Sequence, residues 1–234
     1  MPRFITSIQI QIFKKTFEMQ KGFLTAMVLT SPYNLLDGLP GWSTDFDLFY
    51  RQELSRTAGG TTIAKDFGTP LWKASFQTTV LQVNELDMWR ARLKALDGSV
   101  LPFWGRPLSR CYPIAYPNGA GIGDVSAVAI DSIGSDNKSL TLQKLPIWHS
   151  ISVGDYLQIG TKLYQVLENA VANSTGKTTR FEVRPHLAPG TFVGNTVTLV
   201  RPSVPMIIIP GSLSATGEAM TGRGIISFQA IETR

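Results

Sequence analysis

Two segments far apart in the chain share an alternation of apolar and polar residues around the same tripeptide, Ser-Phe-Gln. In LWKASFQTTVLQ, alternate residues from Trp72 to Val80 fall on one face, and in the C-terminal GIISFQAIETR the residues at 226, 228 and 230 do the same. Because side chains alternate between the two faces of a β-strand, both segments are predicted to be strands with one buried face. Their similarity predicts that they lie in one sheet.

The residues before the first of these strands predict a hairpin. FDLFYRQEL (46–54) alternates apolar and polar residues, with Phe49 on the otherwise polar side. Gly59 and Gly60 supply a turn, and a second strand follows over about 61–67. The aromatic residues at 42, 46, 49, 50, 103 and 104 are predicted to be mainly core. The alternative is that some of them are half-exposed anchors for a protein partner or a sugar.

One helix is predicted after the first Ser-Phe-Gln strand. Asn84 is its predicted N-cap, with Asp87 three residues later, and Gly98 is placed to end it. Apolar residues recur at spacings of three and four and form one stripe, which predicts core rather than ligand contacts for Trp89. The predicted core of the strands and the helix is Trp72, Phe76, Val80, Leu86, Trp89, Leu93, Leu96 and Phe228.

The middle of the chain has no segment with helical periodicity. It contains six short alternating runs, which are SAVAI (126–130), SLTLQKL (139–145), DYLQI (155–159), KLYQVL (162–167), RFEVRP (180–185) and TVTLV (196–200). Short strands separated by turn residues predict a small barrel or sandwich. Pro- and Gly-rich stretches on both sides, YPIAYPNGAGIG and RPSVP, predict an inserted domain with few contacts across its boundary.

These patterns predict a mainly β protein with a discontinuous first domain. Residues 31–114 plus 204–234 form a β-sandwich with one α-helix, and residues 115–203 form a small inserted β-barrel. Residues 1–30 match neither part. They are interpreted as an N-terminal arm or a leader, and the alternatives are an amphipathic arm, a secretory signal, or a leader preceding a natural start at Met27.

Charge and hydropathy narrow the range of partners. The net charge is +5, but residues 1–26 hold four basic residues and one acidic residue, so the rest of the chain is nearly neutral. Nucleic-acid binders usually concentrate Lys and Arg on one face, and this sequence has no such run of basic residues. No sequence-specific nucleic-acid partner is therefore predicted. The longest apolar runs are shorter than about 18 residues, so no membrane insertion is predicted.

The residue types that carry catalysis and metal binding are few. Cys111 is the single cysteine, and the histidines are His149 and His186. A zinc site needs three or four ligands, and no nucleophile stands beside a base in the sequence. STGKTT (174–179) lacks the first glycine of a phosphate-binding loop and precedes a strand pattern, so it is interpreted as a hairpin turn. The sequence therefore predicts no catalytic residue, no metal site and no cofactor.

The order of these segments resembles that of the distal tail proteins of long-tailed (siphovirus) bacteriophages. It looks like the variant whose insert is a barrel of the oligonucleotide/oligosaccharide-binding (OB) type. The matching segments are WKASFQTTV, ELDMWRARLKALDGS and VLPFWGRP, then GDYLQIGTKLYQVLE and RFEVRPHL in the insert, and finally ISFQAIETR. The resemblance covers about residues 60–234 and depends on the order and pattern of these segments.

The resemblance implies a structural virion protein rather than an enzyme. The sandwich would be a ring domain and the insert an OB-like barrel. Copies of the chain would form a ring, expected to be a hexamer, that joins the tail tube protein to the tail-tip hub protein. The protein would be made in the host cytoplasm and reside at the phage tail tip. The alternative is a carbohydrate-binding tail accessory module that contacts host surface glycans through the insert.

Overall fold

The computed structural model describes residues 31–233, except for the side chain of Trp42. The N-terminal arm or leader predicted over residues 1–30 lies outside the described residues. The described part of the chain is mainly β, with two large sheets, two small two-stranded sheets and one α-helix. This confirms the predicted fold class.

The first part of the chain forms β1 (Gly41–Phe49), β2 (Gln52–Arg56), β3 (Thr62–Asp66), β4 (Leu71–Thr78), α1 (Val83–Lys94) and β5 (Phe103–Gly105). The middle part forms β6 (Ala129–Ile133), β7 (Ser139–Gln143), β8 (Ser150–Ile151), β9 (Tyr156–Ile159), β10 (Lys162–Val166), β11 (Ala170–Val171), β12 (Phe181–Arg184) and β13 (Val197–Thr198). The last part forms β14 (Val204–Ile208), β15 (Ser214–Gly217) and β16 (Gly224–Glu232).

The main sheet combines strands from both ends of the described chain. Its order is β1-β4-β16-β14-β5, with β15 also paired to β16. The two Ser-Phe-Gln strands, β4 and β16, are adjacent and antiparallel, and Phe76 stands opposite Phe228. The prediction that these two distant segments share one sheet is confirmed.

The main sheet is curled around its buried face. Phe103 on β5 is three strand positions away from Phe76 on β4, which corresponds to about 14 Å in a flat sheet. Their ring centroids are nevertheless 6.3 Å apart. The edge strand β5 and the strand β4, three positions away, therefore face each other across the core in a sandwich-like arrangement.

Seven of the eight predicted core residues are buried in this core, and Val80 is not. Val80 is 60% exposed. Strand β4 ends at Thr78, and the next buried position is Leu81, whose backbone N–H and carbonyl both bond to Gly224 (2.7 and 3.1 Å). The alternation stops at the end of the strand, so the prediction for Val80 is wrong.

The helix covers part of the core, as its apolar stripe predicts. Leu86, Trp89 and Leu93 are buried on α1, and Leu96 is buried just beyond its end. The helix begins at Val83 with Gln82 as N-cap, so the prediction of Asn84 is wrong. Because Leu81 is held against Gly224, the chain turns into the helix earlier than the capping pattern indicates.

The second large sheet is a nearly closed barrel. Its order is β13-β9-β10-β12-β7-β6, and all six predicted runs contribute a strand. Ala129 and Thr196 form an antiparallel bridge, and the Ile130 N–H donates to the Asn195 carbonyl at 3.0 Å. These contacts bring β6 back beside the segment that leads into β13.

The barrel and the main sheet share part of one core. Leu163 of β10 is buried in the core of the main sheet, and Tyr156 of β9 packs against that core. The sequence predicted few contacts across the boundary of the inserted domain, and it did not predict this packing. The Pro- and Gly-rich connectors mark where the chain changes sheets, but the two sheets meet through apolar side chains.

Candidate functional site

A two-stranded arm, Tyr50–Gly68, projects beyond the main sheet. Phe49 at the end of β1 pairs with Leu71 at the start of β4, and β2 and β3 continue outward from there. The Phe67 N–H donates to the Arg51 carbonyl at 2.9 Å, which links the arm to its base. Gly59 and Gly60 form the turn at the tip, as predicted. The predicted single strand over 46–54 is broken at Tyr50 and Arg51.

Both faces of the arm are open to solvent. Every residue of β2 and β3 is exposed, and the two strands pair only with each other within residues 31–233. Leu54 is opposite Ala64 on one face, and Ser55 is opposite Ile63 on the other. Leu54 is 71% and Ile63 53% exposed. An isolated two-stranded hairpin is only marginally stable in water, so this arm has the character of an element that packs on another surface.

The aromatic residues near the arm divide between core and surface. Phe46 stacks on Trp72 at a centroid distance of 5.2 Å, and Phe103 is fully buried. Phe49 and Tyr50 are exposed at the base of the arm, and the Lys73 ammonium lies 5.9 Å from the centre of the Phe49 ring. The prediction of core positions holds for the first two and is wrong for the other two, because the main sheet ends at Phe49.

Three exposed apolar residues lie in the segments that meet beyond the end of β4. We call them the end patch, and they are Val80, Val83 and Met220. The pairing of Leu81 with Gly224 brings the residues after β4 beside the turn that precedes β16. A Cβ atom on Gly222 would lie 2.6 Å from a Val83 methyl group, so this turn touches the start of α1. Met220 is 94% and Val83 45% exposed.

A cleft of about 720 Å³ lies between the main sheet, the barrel and the base of the arm, where Gln52 and Asp66 line it. Lys162 Nζ pairs with Glu232 Oε1 at 2.9 Å, and the carboxylate of Glu232 is buried. The Trp72 backbone N–H donates to Glu232 Oε2 at 3.2 Å, and its indole N–H donates to the Leu163 carbonyl at 2.8 Å. The charges of Lys162 and Glu232 therefore neutralise each other, and this pair together with the bonds of Trp72 joins β10 to β16 and β4.

Two tyrosines of the barrel, the partly buried Tyr156 and the buried Tyr164, have phenols that stay protonated at neutral pH. Burial raises the pKa of Tyr156, and the negative charge of Asp47 raises it further. Burial also raises the pKa of Tyr164, whose hydroxyl accepts a hydrogen bond from the Ala188 N–H at 3.1 Å. Both side chains therefore act in packing and hydrogen bonding.

The residues considered for catalysis do not share a cavity. Cys111 lines a hollow of about 390 Å³ that neither histidine lines, and its thiol donates to the Leu108 carbonyl at 3.6 Å. His186 is exposed at the rim of the cleft between sheet and barrel. His149 is buried and stacks on Tyr116 with ring centroids 4.5 Å apart. It is therefore a packing residue.

The connector before the barrel is held against it by buried polar groups. Asp155 accepts hydrogen bonds from the N–H groups of Ile114 (2.7 Å) and Ser152 (2.8 Å), and burial raises its pKa. The Ser150 N–H donates to the Tyr116 hydroxyl at 2.9 Å. Burial lowers the pKa of His149, and the backbone of Ile122 offsets this only in part. The connector is therefore a packed part of the barrel.

One large aromatic side chain on the barrel is exposed in an unfavourable backbone conformation. Trp148 is 68% exposed and has a φ of 60°, and its neighbour Ile147 is also exposed. Positive φ is unusual for a bulky residue, and such positions are enriched at ligand and partner sites.

No protein-family model matches the chain, and no curated protein matches it. Between residues 31 and 233, no three His, Cys, Asp or Glu side chains are grouped to hold a metal ion. No described helix is long and apolar enough to cross a membrane.

The arm, the end patch and Trp148 are thus the features that expose large apolar or aromatic side chains. Sequence reasoning did not identify the first two as surfaces. The alternation of Phe46, Leu48 and Tyr50 resembles that of an ordinary half-buried strand, and Val80 continues the apolar face of β4 in the sequence. The one available sign was the mixed polarity of 52–66, where both faces of each strand carry charged residues.

Proposed function

We propose that this protein is a structural component of a bacteriophage tail tip, a distal tail protein. Copies of it would form a hexameric ring that joins the tail tube protein to the tail-tip hub. The order of its segments supports this proposal, because a β domain with one helix is interrupted by a small barrel and closed by a C-terminal strand. Such a ring has no need of a catalytic centre or a cofactor.

The arm is the observation that carries the proposal. Every residue of β2 and β3 is exposed, and each face of the arm presents one apolar side chain. A chain that folds alone gains little from such an element, since a hairpin needs a third strand or another surface for stability. An assembly protein gains an extension that reaches the next subunit.

The charge distribution is compatible with a ring around a DNA channel. Outside residues 1–26 the chain is nearly neutral. A strongly basic lining would retain DNA electrostatically, and that retention would oppose its passage. A near-neutral body avoids this.

The proposal is tested by the mass of the full chain in solution. Light scattering, at two protein and two salt concentrations, should give a species near six times 25.7 kDa. Its mass should change little with salt, because apolar contacts are not screened. A mass of one chain at every concentration would contradict self-assembly.

A second candidate function is binding of host surface glycans through the barrel. Trp148 favours it, because a large exposed aromatic ring offers a flat face for stacking on a sugar. Measured binding to a glycan array or to host cell-wall material, lost in Trp148→Ala and kept in Phe192→Ala, would support this function. Phe192 is a suitable control because it is also exposed on the barrel segment. Equal binding by both variants would contradict it.

A further inference from the structure

We propose that the hollow lined by Arg110 and Arg201 binds the phosphate group of a small phosphorylated molecule. The two arginines lie where the chain passes between the main sheet and the barrel. Arg110 precedes the connector that leads into the barrel, and Arg201 follows β13, the last strand of the barrel. The described lining residues include none from the arm or the end patch, so the site is independent of the proposed ring.

The wall of this hollow carries charge of one sign. The hollow has a volume of about 390 Å³, and the part of its wall formed by residues 31–233 contains two arginines but no aspartate, glutamate or lysine. A concave surface lined by one sign of charge concentrates the electric field and attracts ions of the opposite sign. The hollow is therefore suited to an anion.

The two guanidinium groups have no bound partner within the described part of the chain. The ion pairs found there do not include Arg110 or Arg201, and neither side chain forms a hydrogen bond there. In contrast, the side chains of Arg90, Arg106 and Arg184 each bond to a carboxylate. A guanidinium group has five N–H donors, so both arginines of the hollow retain their donors for a ligand.

Backbone hydrogen bonds hold both arginines beside the hollow. The Arg110 N–H donates to the Pro107 carbonyl at 3.1 Å. The Arg201 N–H donates to the Cys111 carbonyl at 2.7 Å, which joins the segment that leaves the main sheet to the segment that returns to it. Because the two segments are held together without a ligand, less conformational freedom is lost when a ligand binds.

The backbone conformation of Arg201 is a second observation that favours a binding role. Its φ is 50°, and that of Asn118, in the same wall, is 56°. Such values are common for asparagine but uncommon for arginine. Residues held in sparsely populated backbone conformations cluster at ligand sites, where the surrounding structure maintains them.

The carboxylate that Arg110 influences is already bound to the backbone. Asp155 accepts hydrogen bonds from the N–H groups of Ile114 and Ser152, and it is not among the lining residues. Burial raises the pKa of Asp155, and the charge of Arg110 offsets only part of that rise. Since Asp155 forms no ion pair with Arg110, the guanidinium group stays open to a ligand.

Charge and donors fit a phosphate monoester better than a carboxylate. Two guanidinium groups supply two positive charges, and a phosphate monoester carries about −1.5 to −2 at neutral pH. The planar fork of arginine also matches pairs of phosphate oxygens. Ser109, Tyr112 and Asn118 line the same hollow and offer hydroxyl and amide donors to the remaining oxygens. Small-molecule sites occupy about 300–1,000 Å³, so the hollow also has room for the group that carries the phosphate.

The first experiment measures the binding of glycerol phosphate to the full chain by isothermal titration calorimetry at constant ionic strength. Arg110→Gln and Arg201→Gln should each weaken binding by about tenfold or more, because each removes hydrogen bonds to a charged group. Arg180→Gln is the matched control, since Arg180 is an exposed barrel arginine outside the hollow, and it should bind like the wild type. Acetate, which has a single charge, should bind at least about tenfold more weakly than glycerol phosphate.

The second experiment uses Cys111, the single cysteine, as a reporter inside the hollow. The rate of its alkylation by iodoacetate, an anion, is divided by the rate with neutral iodoacetamide, so general changes in thiol reactivity cancel. This ratio should fall by about twofold or more in Arg110→Gln and Arg201→Gln at low salt, because a nearby positive charge attracts the anionic reagent. It should stay unchanged in Arg180→Gln. Glycerol phosphate should lower the ratio in the wild type.

The possible results separate this site from the proposed ring. Absence of glycerol phosphate binding at millimolar concentration, or equal binding by all three glutamine variants, would show that the hollow is not a phosphate site. Binding of acetate as tight as that of glycerol phosphate would mean that the ligand class is wrong, and binding of inorganic phosphate alone would mean that the hollow takes only an ion. An alkylation ratio that is unchanged in both hollow variants would also contradict the proposal. A monomeric chain that binds glycerol phosphate would overturn the ring and leave this site intact.

Discussion

Phe228 lies directly opposite Phe76 on adjacent antiparallel strands, although the whole barrel separates the two residues in the chain. Their ring centroids are 5.2 Å apart, and the ring of Phe103 lies 6.1 Å from Phe228 and 6.3 Å from Phe76. All three rings are buried. The two ends of the discontinuous sheet are thus joined in one aromatic cluster.

We expect Phe228→Ala to lower the free energy of unfolding by about 3–5 kcal/mol, because it removes a buried ring from a curled sheet and leaves a cavity. Urea denaturation of the full chain measures this. Phe192→Ala is the matched control, since the Phe192 ring is exposed, and its effect should stay within about 0.5 kcal/mol. Equal effects of the two substitutions would show that the aromatic cluster does not stabilise the fold.

Trp72→Phe tests the junction between the main sheet and the barrel. The substitution keeps an aromatic ring but removes the indole N–H that donates to the Leu163 carbonyl at 2.8 Å. A buried carbonyl left without its donor costs about 1–3 kcal/mol. Urea denaturation should report that loss, and amide hydrogen exchange should increase in β10. Trp148→Phe, at an exposed position, should change neither measurement, and comparable losses in both variants would contradict the assigned role of Trp72.

Local pattern predicted the strands of the barrel and the pairing of β4 with β16. In both cases strong alternation is bounded by residues that favour turns, so the local signal and the final structure agree. Val80 shows where this reasoning stops. The alternation continues to residue 80 in the sequence, but the position where β4 ends is decided by the bonds of Leu81 to Gly224, which are distant in the chain.

The exposure of the arm and the packing of Leu163 could not be predicted for a related reason. Whether Tyr50 is buried depends on where the main sheet ends, and the strands that set that limit lie far along the chain. Leu163 has the apolar character of an ordinary barrel residue, and only the fold shows that it is buried in the core of the main sheet. The surfaces proposed for assembly thus follow from tertiary structure.

His149 should make stability depend on pH. Burial lowers the pKa of its imidazole below the ordinary value of 6.5, so the unfolded chain binds a proton more readily than the folded chain. The part of the free energy of unfolding that depends on a neutral His149 is therefore fully present above about pH 6.5. It is lost as the pH falls through the lower pKa of the folded state. Denaturation midpoints measured between about pH 8 and pH 5 should fall for the wild type.

The control for this pH dependence is the other histidine. His149→Phe preserves a ring that can stack on Tyr116 and should flatten the fall in stability toward low pH. His186→Phe alters an exposed side chain and should leave the pH profile of the wild type unchanged. A profile that is flattened by the second substitution and not by the first would contradict the assignment to His149.

At Trp148, replacement by glycine should destabilise the protein less than replacement by alanine, which is the reverse of the usual order. Its φ of 60° lies in the left-handed region, where a residue with a Cβ atom is strained by about 1 kcal/mol and glycine is not. Trp148→Gly should therefore be more stable than Trp148→Ala by roughly 1 kcal/mol in urea denaturation. At Val153, which is also exposed but is not among the residues with positive φ, the same pair of substitutions should favour alanine. An advantage for alanine at both positions would mean that the backbone at Trp148 carries no strain.

Removal of the arm should separate folding from assembly. We expect replacement of residues 52–66 by a Gly-Gly turn to change the free energy of unfolding of the single chain by less than about 1 kcal/mol, because surface residues contribute little to folding. Urea denaturation at low protein concentration measures stability, and light scattering at high concentration measures assembly. The shortened chain should remain folded and should stay monomeric where the full chain forms the ring. Phe228→Ala should do the reverse, with a large loss of stability and an intact arm. A shortened chain that fails to fold would show that the arm belongs to the core of the single chain, and one that still assembles would show that the ring is made by other surfaces.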